Sequence, residues 1–291
     1  MRFPRFLICA GVATLTVSAS AANAAIDLST LHQNGLATAT ANDLSLTKGT
    51  ARGAGSAFLT TAISSSSNFS GSFDISLIDT GSIGAATDPD GNPVLDGNGN
   101  PAGYGLQADG VTFLIQNSVA GTSALGGGGG GIGADGIDNS VGLGFQSWDN
   151  NHATVFAGTD TCDIHNDGNI FSSTYCGSGA LENFGLGTNP ANHIHVVFDY
   201  TNGVLGFSAF NSDTGQNIFQ SRALDISALG PSVYLGFTGG TGLAYADQDI
   251  SNFELNVAGV PEPATWAMML TGFGGLGAML RRRRRSALAP S

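Results

Sequence analysis

The sequence predicts an all-β protein, an antiparallel β sandwich, and three observations predict it. Glycine makes up 44 of the 291 residues and is mixed with many Asn, Asp, Ser and Thr, the residues that tight turns require. Between these turns lie short runs in which apolar and polar residues alternate, as along a strand with one buried face. The central part of the chain shows no convincing amphipathic helical pattern. Seven or more such strands imply two stacked sheets.

Seven stretches carry the strand pattern: residues 71–78, 110–116, 141–148, 193–200, 204–211, 233–237 and 249–257. The fourth and fifth are separated by Asn202-Gly203, a dipeptide that readily adopts the positive φ angles of a type I′ turn. These two strands are therefore predicted to form a hairpin.

The N-terminal segment, residues 1–24, has the features of a secretory signal peptide. Two arginines precede an apolar run, and an Ala-Asn-Ala triplet ending at Ala24 supplies the small residues that come before a cleavage site. The mature protein is predicted to begin near Ala25. Residues 25–258 then form one large β domain, long enough to bury a sizeable core.

The C-terminal segment combines Pro261-Glu262-Pro263, an apolar stretch over residues 264–280 and five arginines at 281–285. The apolar stretch is at the short end of what spans a bilayer, and an arginine cluster stays cytoplasmic. Over residues 259–285 the segment resembles the PEP-CTERM sorting signal of Gram-negative bacteria. The resemblance implies an inner-membrane intermediate and an exosortase-type enzyme that processes the chain near Pro-Glu-Pro, with release to the outer surface or the exopolysaccharide matrix. A simple C-terminal anchor is the alternative.

The segment between the two ends is strongly acidic. Residues 25–260 contain three bases, Lys48, Arg52 and Arg222, against 21 acids, which gives a formal net charge of −18. Nucleic acid is excluded as a partner, because its binding depends on Lys and Arg that neutralise phosphates. Cations and neutral ligands remain as partners. A surface that only keeps an exported protein soluble explains the charge equally well.

Two cysteines remain after removal of the signal peptide. Cys162 and Cys176 enclose a polar stretch of Asp, Asn and Ser. In an oxidising compartment a disulfide between them would stiffen a segment that is too polar to fold on its own packing. A catalytic thiol is the weaker interpretation.

An ordered set of motifs occupies the central domain: residues 108–117 with Ala-Asp-Gly, a glycine run at 126–131 extended to Gly133, residues 140–150, residues 236–243, and residues 248–250. In this order and spacing the domain resembles a bacterial legume-type (L-type) lectin. The resemblance implies a concanavalin A-like antiparallel β sandwich (jelly roll) and carbohydrate binding. Sugar recognition requires a fixed carboxylate, an amide, backbone N–H groups and a flat side chain, because a sugar presents hydroxyls on a weakly apolar ring.

The resemblance also implies a role for particular residues. Asp109 would accept hydrogen bonds from two sugar hydroxyls, and a glycine of the following loop would donate its backbone N–H, since only a residue without Cβ lets the chain approach so closely. The complete set of implied carbohydrate-binding residues is Asp109, Gly128, Trp148, Asn150, Gly242 and Leu243.

The chain departs from the legume-type pattern at the metal site. The family carries Glu-x-Asp on one strand, where this chain has Gly144 and Gln146. We therefore expect the transition-metal position to be lost, because a neutral amide supplies one weak carbonyl ligand. Calcium could still be held by the nearby acids and amide, and the candidate ligands are Asp149, Asn150 and Asp163, with Asp160 and Asp167 as neighbours. No other cofactor is expected.

Each motif has a simpler interpretation. Asp109-Gly110 alone could be a turn, and the glycine run alone could be a linker; a nucleotide loop is disfavoured because no lysine follows it. Residues 88–101 partly imitate a calcium loop but lack the closing Glu, so a turn-rich insertion is favoured.

No enzymatic activity is expected. Glucanases share the sandwich and use paired acids, whereas the segment of residues 144–146 presents none. Two functions remain: an exported carbohydrate-binding protein of the exopolysaccharide or biofilm matrix, and a structural matrix protein on a lectin scaffold that no longer binds sugar.

Overall fold

The computed structural model describes residues 24–82, 108–147, 152–157 and 191–258. Several predicted features lie outside these ranges: the signal peptide before Ala24, the insertion at residues 88–101, the cysteine pair, and the sorting segment with its predicted membrane span at 264–280. Within the described ranges, none of the helices has the length and apolar character needed to span a bilayer.

Fifteen strands run through the described residues: β1 (Ala24–Ala25), β2 (His32–Gly35), β3 (Thr38–Ala39), β4 (Asp43–Thr47), β5 (Ala54–Phe58), β6 (Ile63–Ser64), β7 (Phe69–Ser82), β8 (Gly110–Gln116), β9 (Ser140–Gln146), β10 (His152–Ala157), β11 (Ala191–Thr201), β12 (Val204–Asn211), β13 (Gln216–Ala223), β14 (Ser232–Gly240) and β15 (Ala244–Val257). The helices of this part of the chain are four short 3₁₀ turns: Leu28–Thr30, Gly121–Ser123, Gly129–Gly131 and Ile226–Leu229.

The strands form two antiparallel sheets, as the sequence predicts. The first sheet has the order β13-β12-β11-β7-β15-β4-β3, with β1 added beside β15. The second has the order β10-β9-β8-β14-β5-β2, with β6 added beside β14. Strands that are neighbours in a sheet are often distant in sequence, as β7 and β15 are, so the sandwich depends on long-range pairing.

The main core lies between the two sheets and is rich in phenylalanine. The rings of Phe113 and Phe198, from opposite sheets, have centroids 4.5 Å apart, and Phe73 lies 5.0 Å from Phe237 in an edge-to-face arrangement. Alternation along the strands supplies these side chains: in β11, Ile194, Val196 and Phe198 point inward and are buried. Full burial of such side chains contributes about 1.5–3 kcal/mol each to folding.

The second sheet is covered on its outer face as well. Every residue of β8 and β9 is buried. A second apolar cluster lies on this face and includes Leu114 of β8 together with Ile132, Ala134 and Ile137 from the chain between β8 and β9. The connection therefore folds back over the sheet, and this places its glycine run near the ends of the strands.

All seven predicted strands are present. The predicted hairpin is confirmed, because Asn202 and Gly203 have φ angles of 51° and 77° between β11 and β12. The sequence did not predict β13, whose residues alternate between half-buried and exposed with few apolar side chains to mark a face. It also did not predict the short strands before β7.

Candidate functional site

The candidate site lies at one edge of the second sheet, which we call the rim, where β8 and β5 begin and β9 and β14 end. The central position is Gly110, the first residue of β8, which is paired with Gln146 of β9 on one side and with Gly240 of β14 on the other. Gly240 is in turn paired with Ala54 of β5. Segments far apart in sequence therefore meet here.

Asp109 immediately precedes β8 and is fixed in place by its backbone. Its N–H donates to the Gly240 carbonyl (2.9 Å), and its carbonyl accepts from the Ser147 N–H (3.0 Å). The peptide bond between Ala108 and Asp109 is cis. The two backbone hydrogen bonds hold Asp109 in place at the start of β8.

The Asp109 side chain is 5% exposed. Its Oδ2 has no hydrogen-bond partner among the described residues. Burial raises the pKa of this carboxyl from 3.8 to about 7, and the nearby Gly242 backbone N–H, which donates to the Ala244 carbonyl (3.1 Å), acts in the opposite direction. A buried carboxylate oxygen without a donor is costly, and a hydrogen-bond donor supplied to it would offset that cost.

The glycine loop, residues 126–133, is attached to the rim. The Gly129 N–H donates to the Thr241 carbonyl (2.8 Å), and the Thr238 hydroxyl donates to the Ile132 carbonyl (2.8 Å). A Cβ on Gly128 would lie 2.6 Å from the Gly53 carbonyl oxygen. The run is therefore not a free linker: it packs closely against the strand ends, and Gly128 has no room for a side chain.

The two residues that replace the family's metal carboxylates lie in β9. Gly144 pairs with Thr112 of β8, and the Gln146 side chain donates from Nε2 to the Gly130 carbonyl (3.2 Å). The Gln146 amide thus holds the glycine loop against β9. Neither residue supplies a charged ligand, so this part of the rim does not fit a transition-metal ion.

Within the described ranges, no three His, Cys, Asp or Glu side chains come close enough together to hold a metal ion. The candidate calcium ligands Asp149, Asn150 and Asp163 lie outside those ranges, so the prediction of a calcium site stays a prediction.

The loop after β14 completes the described part of the rim. A Cβ on Gly242 would lie 2.8 Å from Asp109 Oδ2, so any side chain at this position would collide with the carboxyl. The Gly242 carbonyl accepts from the Arg52 N–H (2.7 Å), which ties this loop to the segment before β5. Leu243, the next residue, is half-buried. The structure thus brings Asp109, Gly128, Gly242 and Leu243 to the rim.

Two predicted residues, Trp148 and Asn150, lie outside the described residues. They fall between the end of β9 and the start of β10. Those two strand ends are paired, His152 with Gln146, at the same rim.

Sequence reasoning missed Gln248 as a residue that supports the site. This fully buried side chain of β15 in the first sheet donates from Nε2 to the Gly240 carbonyl (2.9 Å) of the second sheet. It therefore holds the strand end to which Asp109 is bonded. The alternation along β15 could have identified it, since Gln248 falls on the inward face between Ala246 and Ile250.

Three comparisons with known proteins were informative. A family model described as the PEP-CTERM protein-sorting motif matches residues 259–285. No curated protein matches the chain. Solved structures do, among them the basic winged bean lectin with Tn-antigen (18% identity, 79% of this chain and 94% of that one, TM-score 0.55) and the peanut lectin (16% identity, 80% and 94%, TM-score 0.52).

A lectin from Bauhinia forficata in complex with GalNAc is similar to the same degree, with 17% identity, 79% of this chain and 93% of that one covered, and a TM-score of 0.54. At such identities the likeness concerns the fold. The domain thus has the concanavalin A-like sandwich of legume lectins, and the chain carries a PEP-CTERM sorting motif at its C-terminus.

Proposed function

We propose that this exported protein binds carbohydrate at the rim of the second sheet and acts in the exopolysaccharide or biofilm matrix. The observation that carries the proposal is the buried Asp109 carboxyl group. The backbone N–H and carbonyl of Asp109 are both hydrogen-bonded, and its Oδ2 has no donor among the described residues. Vicinal sugar hydroxyls are donors that would satisfy it.

The surroundings of Asp109 support a ligand that approaches the rim closely. Gly242 lies beside the carboxyl and Gly128 lies in the loop that packs against the same strand ends, so neither position carries a side chain that would compete with a sugar ring. The proposal extends to Trp148 as the flat side chain and to Asn150 as the amide. Both are assigned from the resemblance to legume-type lectins, and the pairing of the flanking strands supports them.

The described rim supports binding of carbohydrate rather than its hydrolysis. Glycoside hydrolysis needs two carboxyl groups that flank the scissile bond. The strand ends that form the described rim, Asp109-Gly110, Gln146-Ser147, Gly240 to Gly242 and Gly53-Ala54, contribute one carboxyl group. The similar solved structures are lectins.

The second candidate is a structural matrix protein on the same scaffold, without sugar binding. It is favoured by the replacement of both metal carboxylates, by Gly144 and Gln146. Full stability with no glycan signal would support it.

A glycan array with purified mature protein, run with and without calcium, tests the proposal. Asp109→Asn keeps the size of the side chain and removes its charge, and Asn150→Ala tests the assigned amide. The matched control is Asp199→Asn, on the exposed face of the first sheet. We expect Asp109→Asn to weaken binding of any array hit about 10- to 100-fold, the value of hydrogen bonds to a charged group. Undiminished binding by this variant would contradict the proposal.

A further inference from the structure

A groove lies on the outer face of the first sheet, away from the rim. It has a volume of about 310 Å³ and is formed where β7, β11 and β12 lie side by side, with Ser251 of β15 at its border. Its polar side chains are Asp74, Ser76, His193, His195, Ser212 and Ser251, and Phe210 forms an apolar wall. We call it the histidine groove.

His193 and His195 are two residues apart on β11, so both project from the same face of the sheet. Their side chains are 55% and 54% exposed, and both line the groove. Residues two apart on a strand are separated by about 7 Å, a distance that two imidazole rings can bridge to a shared ion.

Each imidazole is oriented by a carboxylate. His195 Nδ1 donates to Asp74 Oδ1 (2.6 Å), and His193 Nδ1 donates to Asp213 Oδ2 (3.0 Å). Because a carboxylate only accepts, Nδ1 is the donor in each contact, and in the neutral imidazole Nε2 then carries the lone pair.

The carboxylates are themselves held. Asp74 Oδ2 accepts from Asn252 Nδ2 (2.7 Å), and Asp213 Oδ2 also accepts from the His193 backbone N–H (2.6 Å). A histidine whose second nitrogen is held by an oriented carboxylate is the usual arrangement around protein-bound zinc and similar metals. Here it occurs twice, on neighbouring positions of one face.

We propose that the histidine groove binds a divalent transition-metal ion of the imidazole-preferring class, such as Zn²⁺, Ni²⁺ or Cu²⁺, through Nε2 of His193 and His195. Because no three metal-ligating side chains converge within the described residues, the protein supplies two ligands and water completes the coordination. The groove and the rim belong to different sheets, so metal binding here does not depend on the proposed sugar site.

The experiment uses the full mature protein, free of affinity tags, titrated with Cu²⁺ or Zn²⁺ by calorimetry, with EPR of the Cu²⁺ complex. Wild type should bind one ion with two nitrogen donors in its EPR spectrum. His193→Gln and His195→Gln should each remove one nitrogen coupling. Asp74→Asn, which leaves both ligands in place, should weaken binding about 10- to 100-fold through loss of ring orientation.

Matched controls separate this site from the other histidines of the chain. His32→Gln, in the second sheet, and the double variant His152→Gln/His165→Gln should retain the two-nitrogen signal. Binding that survives His193→Gln and His195→Gln, or that is lost in the double control variant, would overturn the proposal. Calcium, which prefers oxygen ligands, should not compete.

Discussion

At the residue scale, the Asp109 carboxyl group has opposite effects on folding and on ligand binding. Burial raises its pKa from 3.8 to about 7, so the folded state holds the proton more tightly than the unfolded chain does. The stabilising effect of this proton is complete below the unfolded pKa near 4 and is lost as pH rises through about 7. The difference of roughly 3 pKa values corresponds to about 4 kcal/mol.

Asp109→Asn removes this linkage. We expect the variant to be more stable than wild type at pH 8, by up to about 4 kcal/mol, and similar to it at pH 4. Urea denaturation of both proteins between pH 4 and pH 8 measures the difference, in which all other titrating groups cancel. A stability difference that does not change with pH would show that folding does not raise the pKa of Asp109.

Glycan binding should have the reverse pH dependence, because sugar hydroxyls donate to the ionised carboxylate. With a pKa of about 7, the ionised fraction of Asp109 falls about tenfold between pH 8 and pH 6. The affinity for an array hit should fall by the same factor, as measured by calorimetry at the two pH values. An affinity that rises on acidification would contradict the assigned role.

At the element scale, the glycine loop acts as a packed part of the second sheet. Gly128→Ala would place a Cβ 2.6 Å from the Gly53 carbonyl oxygen, a backbone atom that cannot move aside easily. We expect a loss of about 1–3 kcal/mol in stability and weaker glycan binding. Thermal unfolding and the array measure these effects. Gly127→Ala is the control, because its Cβ would meet the Asp135 side chain at an ordinary 3.4 Å.

Strand β15 connects the first sheet to the rim through Gln248. Gln248→Leu keeps the approximate side-chain size and removes the cross-sheet bond, while the Gly240 carbonyl still accepts from the Asp109 N–H. We expect a loss of about 0.5–1.5 kcal/mol, the net value of one hydrogen bond, and a reduced affinity for glycan because Gly240, to which Asp109 is bonded, shifts. Chemical denaturation and calorimetry test both effects. An unchanged affinity in a destabilised variant would limit Gln248 to a role in folding.

The sequence predicted the elements that have a clear apolar alternation, such as β8, β11 and β12. It missed β13 because Gln216 to Ala223 has little apolar content, and its place in the sheet depends on pairing with β12. The rim positions of Asp109 and Gly128 could be predicted because their motifs are local, and their roles in sugar binding stay predictions. The contact of His195 with Asp74 could not be read from the sequence, since it joins residues 121 positions apart through strand register.

At the scale of the whole molecule, the PEP-CTERM sorting motif at residues 259–285 indicates export to the cell surface or the extracellular space. We propose processing near Pro261-Glu262-Pro263, with an inner-membrane intermediate anchored by residues 264–280. Intact-mass spectrometry of secreted protein should then give a chain that begins near Ala25 and lacks Trp266 and everything after it. Secreted protein that retains the arginine cluster would favour a simple anchor.

The rim and the two ends of the described domain lie at opposite ends of strand β15. The strand begins at Ala244, beside the rim, and its 14 residues carry the chain about 45 Å to Val257 at the opposite end, where β1 is paired beside Leu255. Both ends of the described domain therefore lie together, at the end of β15 away from the rim. If the chain is held in the bilayer by its C-terminal segment, as proposed above, we expect the proposed sugar-binding rim to face away from the point of attachment, so that polysaccharide can bind before release.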